Sequence, residues 1–216
     1  MIYKINKLKQ VIVSDKTIND LVRDTIHKYG LNCDLNFIDT SGVTDMSHLF
    51  QESDFNGDIS KWNTKNVKCM FCMFSCSEFN GNIGDWDTGN VVDMGFMFSN
   101  TRFNKDISNW NVSSVKTMTH MFYGSNFNGD ISRWDTGNVR DMSSMFTHAR
   151  LFNGDIGSWN IERLRNMSYM FYGSKQFSNE SIKNWNIGNK TVYMDSAFSE
   201  CCKLQNKPDW YQPHLK

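Results

Sequence analysis

"NGDISRWDTGNVRDMSSMF" occupies residues 128–146, and "NGDISKWNTKNVKCMFCMF" occupies 56–74. The two stretches keep Ile, Trp, Val, Met and Phe in the same places and differ mainly between them. Numbering one unit from its first valine, position 1 is Val43, Val67, Val91, Val115, Val139 and Leu164. Position 4 is always methionine: Met46, Met70, Met94, Met118, Met142 and Met167. Position 7 is Leu49, then Met73, Met97, Met121, Met145 and Met170, and position 8 is Phe in all six copies. Position 13 is Phe55, Phe79, Phe103, Phe127, Phe152 and Phe177. Position 17 is always isoleucine, and position 20 is Trp62, Trp86, Trp110, Trp134, Trp159 and Trp185. The period is 24 residues over the first four copies, with Leu151 added in the fifth and Gln176, Ser181 and Lys190 in the sixth.

Self-similarity at such a period is the signature of a stacked repeat architecture. The spacing 1, 4, 7, 8 puts four apolar side chains on one helical face, so each unit is expected to begin with a short helix or 3₁₀ turn. Positions 13 to 20 carry β-branched and aromatic anchors between turn residues, which suits a short strand. One unit has seven anchors, each contributing roughly 1.5–3 kcal/mol when buried. Ordering its residues costs on the order of 1.5 kcal/mol each, so an isolated unit loses that comparison. Stacked units share faces, and the expected fold is an α/β repeat solenoid with one continuous core.

The flanks read as caps. In residues 1–30 a strand precedes an amphipathic helix, with Ile18, Leu21, Val22 and Ile26 on one face, Ser14 or Asp15 as N-cap and Gly30 as stop. Residues 31–42 match positions 13–24, with Leu31, Leu35 and Ile38 at anchor sites, a half-repeat that starts the stack. The six repeats fill 43–190. Met194, Phe198, Leu204 and Trp210 form a degenerate last turn within 191–216.

Composition narrows the function. Among 216 residues, 23 basic balance 23 acidic side chains, which argues against a nucleic-acid partner. No apolar run approaches the ~18 residues of a membrane span. The start, "MIYKINKLKQVIVSDK", lacks the apolar run of a secretory signal, so the chain as it stands is expected to be cytoplasmic. The six cysteines do not follow the period and are expected to be reduced thiols.

The unit V-x-x-M-x-x-M-F-x4-F-N-x-D-I-S-x-W-[ND] resembles the repeat of BspA-like surface proteins and mycoplasma lipoproteins. The stretch "MDSAFSECCKL" at 194–204 also resembles the A-F-x-x-C-x-x-L segment of BspA-type leucine-rich repeats. The resemblance covers about 31–204. It implies a right-handed, leucine-rich-repeat-like solenoid, often displayed at a cell surface, with roles in adhesion or protein binding and no catalytic residues.

Each repeated column is a candidate site. The tryptophans are either an exposed ladder for sugars or bases, or a buried ladder bonded to backbone; their Ile and Phe neighbours favour burial. The position-14 asparagines suit backbone bonding at turns. The position-16 column, Asp58, Asp106, Asp130 and Asp155, suits turn capping better than Ca²⁺, because Asn82 interrupts it. Cys69, Cys72 and Cys76, with His48 from the preceding repeat, have a spacing that would allow a metal or thiol site. The variable positions 6, 12 and 19 are the expected outward stripes. On these, His48, Phe96, His120, Tyr169, Lys61 and Arg133 are the candidate contacts for a protein or a host or cell-surface ligand. No acid, base or nucleophile converges, so a non-enzymatic module without cofactor is the leading expectation. A metal- or thiol-dependent protein and an architectural assembly subunit are the alternatives.

Overall fold

The computed structural model describes residues 10–188, 191–201, 203–204 and 206–212. The first part of the expected N-terminal strand, Lys190 and Cys202 lie outside the described residues. Element order is β1 (Val11–Ile12), α1 (Ile18–Tyr29), β2 (Ile38–Asp39) and a 3₁₀ helix, Glu180–Asn184.

Successive repeats lie parallel and in register. Position 3 forms a run of parallel bridges, Asp45 to Cys69, Cys69 to Asp93, Asp93 to Thr117, Thr117 to Asp141, Asp141 to Asn166 and Asn166 to Tyr193. Beside it, alternate backbone N–H groups reach the next repeat: Met46 donates to Cys69, His48 to Phe71, Phe50 to Met73 and Glu52 to Ser75, at 2.8–2.9 Å. The same pattern recurs down the chain.

The segment expected to be a short helix or 3₁₀ turn is a run of overlapping single turns with i→i+3 bonds and no continuous helix. Leu49 N–H bonds Met46 C=O at 3.4 Å, and Gln51 N–H bonds His48 C=O at 3.2 Å. A helix cannot continue because positions 6 and 10 are left-handed, as at His48 (φ 60°), Glu52 (φ 55°), Cys72 (φ 56°) and Cys76 (φ 56°). Glycine occupies position 10 twice, at Gly124 (φ 61°) and Gly173 (φ 66°).

The strand expected over positions 13–20 is also mostly absent among the described residues, apart from the Asp34–Asp58 bridge and the start of β2. Side chains take its backbone donors. Asn56 Oδ1 accepts from Asn80 N–H at 2.8 Å, Asn80 from Asn104 at 3.1 Å, and Asn104 from Asn128 at 2.9 Å. Each position-16 aspartate closes a turn on its own chain, as Asp58 does on Ser60 N–H at 2.9 Å.

The apolar columns form the core. Rings at position 8 stack from Phe50 through Phe74, Phe98, Phe122, Phe146 and Phe171 to Phe198, with centroids 5.5–5.8 Å apart. The six repeat tryptophans are 3–4% exposed. Each indole N–H donates to a carbonyl one repeat back, as Trp86 does to Ile59 at 3.2 Å and Trp134 to Ile107 at 3.1 Å. Trp210 extends the ladder by donating to Ile182 at 3.1 Å.

The N-terminal cap continues the register. β1 pairs in parallel with β2, Val11 opposite Ile38 and Ile12 opposite Asp39. Ile18 and Val22 of α1 join the core, with Leu21 and Ile26 packed against it. Two expectations fail here. Leu31 is 45% exposed, because the half-repeat has no position-8 ring like Phe50, on which Phe55 stacks at 4.7 Å. The helix is flanked by Thr17, whose side chain caps no helix N–H, and not by Ser14 or Asp15. Asp15 turns to the first repeat instead. It accepts from Thr44 N–H at 2.7 Å, Thr44 Oγ1 at 2.7 Å and Asp45 N–H at 3.1 Å.

Candidate binding surface

The left-handed residues at positions 6 and 10 lie in the turn run, and aromatic and histidine side chains gather along it. His48 meets Phe71 edge-on at 5.4 Å, and Phe71 meets Phe96 at 5.6 Å. Phe96 stacks on His120 at 4.3 Å, His120 contacts Tyr123 at 5.6 Å, and Tyr123 contacts His148 at 6.0 Å. His148 meets Tyr172 at 5.4 Å, and Tyr172 meets Tyr169 at 5.9 Å. The result is a stripe of rings crossing six repeats. His48 is exposed and Tyr169 is 47% exposed; the other six rings are half-buried.

Four of the candidate residues, His48, Phe96, His120 and Tyr169, therefore belong to one surface. Phe71, Tyr123, His148 and Tyr172 complete it and were missed in the sequence, because positions 5, 9 and 10 hold small or polar residues in most other repeats. The available signal was the clustering of rings at positions adjacent to 6. Lys61 and Arg133 lie elsewhere, beside the acidic column, where their charges help hold Asp58 and Asp130 below the usual carboxylate range after the Ser60 and Ser132 N–H bonds.

Partial burial of His120 lowers its pKa, with Asp141 opposing, so the ring stacked on Phe96 is neutral at physiological pH. Its Nδ1 lies 2.9 Å from Thr119 Oγ1. Tyr172 donates its hydroxyl to Glu200 at 2.7 Å.

The cysteines have a structural explanation. Cys69 occupies position 3, where Asp45, Asp93 and Asp141 each accept the N–H two residues on. The nearby Phe71 backbone N–H partly offsets the effect of burial on the Cys69 thiol. Burial pushes the Cys69 and Cys72 thiols up, away from the reactive thiolate. Cys69, Cys72 and Cys76 are free thiols. Among the described residues no group of three or more His, Cys, Asp or Glu side chains is placed to hold a metal ion. His48 Nδ1 lies instead 2.5 Å from Gln51 Oε1.

On the acidic side, a polar groove of about 260 Å³ is lined by Ser60, Asn82, Gly84, Asp85, Asp106 and Asn109. Asp106 is held below the usual carboxylate range by Ser108 N–H, which suits turn closure and not proton donation at neutral pH.

These features describe a repeat protein with a repeated apolar interior and a varied outer surface. The family described as "Mycoplasma protein of unknown function, DUF285" matches residues 19–125 and again 99–211, and the chain belongs to it. No curated protein and no solved structure matches the chain.

Proposed function

We propose that this chain is a non-enzymatic binding module, a leucine-rich-repeat-like solenoid of the BspA-like kind that contacts a protein or cell-surface partner through its ring stripe. The observation that carries this reading is the continuous run of rings from His48 to Tyr172. The core columns repeat almost without change, whereas the stripe positions vary from repeat to repeat. Rings already packed against one another lose little freedom on binding, which favours their use as contact residues. The parallel bridges at one-repeat spacing support the solenoid assignment.

The test is affinity capture from the native source with wild-type protein and a Phe71→Ser, Phe96→Ser, Tyr169→Ser variant. A Lys61→Ser, Arg133→Ser variant serves as the second arm. A partner lost with the ring variant and kept with the other supports the reading. Retention by the ring variant of everything the wild type captures overturns it.

A further inference from the structure

Position 12 carries a pattern that the ring stripe does not use. From the first repeat to the sixth it reads Asp54, Glu78, Arg102, Asn126, Arg150 and Lys175, and all six are exposed. Backbone bonds tie this column to the preceding repeat at two points, Glu78 N–H to Ser53 C=O and Asn126 N–H to Thr101 C=O, both 3.1 Å. The inserted residues Leu151 and Gln176 follow position 12, so they leave its order intact.

Read from opposite ends, the stripe is complementary to itself. Asp54 matches Lys175, Glu78 matches Arg150, and Arg102 matches the amide of Asn126. The other charged variable stripe, position 19, fails this comparison, since Asp85 meets Ser158. We propose that position 12 is a two-fold interface on which a second copy of this chain lies antiparallel, with the axis between Arg102 and Asn126. A two-fold interface needs such a self-complementary patch, in which each pair occurs twice. Both copies have the same repeat spacing, so all pairs can form together.

Two further observations fit this partner. Asp54, Arg150 and Lys175 make no ion pair among the described residues, and Glu78 only reaches Arg102 at 4.0 Å. Leu151, beside Arg150, is 51% exposed and takes no part in its own core. It supplies apolar contact against the partner copy. Exposed ion pairs are individually weak and screened by salt, so the dimer is expected to be salt-sensitive.

Sedimentation equilibrium of the whole chain, at low and high salt, tests the interface. Dimer at low salt should give way to monomer at high salt. Glu78→Arg or Arg150→Glu should each raise the dissociation constant about tenfold or more, since each changes two pairs at once. Mixing the two variants should restore association as a heterodimer, because the E78R copy then presents two arginines to the two glutamates of the R150E copy. Circular dichroism melts check that both variants stay folded. A wild type that remains monomeric at millimolar concentration in low salt overturns the proposal. So does a dimer indifferent to both substitutions, or a mixture that fails to associate.

Discussion

Asp15 takes the place of a backbone carbonyl. In later repeats the position-2 N–H bonds the position-2 carbonyl of the repeat before, joined in most by the position-3 N–H, as Lys68 and Cys69 do to Thr44 at 2.8 and 3.3 Å. The first repeat has no such predecessor, and the Asp15 carboxylate accepts from Thr44 and Asp45 instead. Desolvation raises its pKa, but these bonds together outweigh it and leave the group below its ordinary value. A depressed carboxylate pKa stabilises the fold above the unfolded value of about 3.9, and that contribution is lost as pH falls through the folded value. Asp15→Asn keeps the shape and removes the charge. It should cost about 1 kcal/mol at neutral pH, the gap between a charged and a neutral hydrogen bond. Urea unfolding of both proteins should show that difference shrinking towards zero in strong acid. An undiminished difference there would mean that the charge is not the cause.

At the scale of the element, the tryptophan ladder shows what ring chemistry contributes beyond area. Trp134 stacks on Trp159 at 6.4 Å and donates to the Ile107 carbonyl. Trp134→Phe keeps an aromatic ring and removes the indole bond, while the Ile107 carbonyl still accepts from Trp110 N–H at 3.2 Å, so the expected loss is about 0.5–1.5 kcal/mol. Chemical denaturation measures it, and wild-type tryptophan emission should shift strongly to the red on unfolding. Burial of this column was legible from its Ile and Phe neighbours. The backbone of the turn run was not. Gly124 and Gly173 flag the left-handed position 10, but no glycine marks position 6, where His48, Phe96 and Tyr169 adopt the same conformation. Spacing alone suggested a short helix or 3₁₀ turn without the left-handed break, because turns with such a break can bury the same apolar set. The missing strand has a similar cause: asparagine and aspartate side chains took the backbone donors that a ladder would have used.

For the whole molecule, the inter-repeat bonds join residues about one period apart, so stability is carried by neighbouring interfaces. Removing residues 91–114, one full period, joins Asn90 to Val115 and leaves each column with an equivalent neighbour. That protein should fold cooperatively, with a lower melting temperature than wild type. Removing 103–114 instead sets the turn run against the asparagine segment and should abolish the cooperative melt. Calorimetry and circular dichroism distinguish the two, and similar behaviour of both deletions would count against register as the organising constraint.

The apolar columns of the six repeats, the period at which they recur and the places where extra residues enter can all be read from the chain alone. Those properties depend on hydrophobicity and spacing, which are local. Where the backbone donors go emerges only from the stacked repeats, because it depends on which neighbouring repeat or side chain offers an acceptor. Stacking also brought Phe71, Phe96, His120 and Tyr123 onto one surface and turned Asp15 from a helix cap into an end plug.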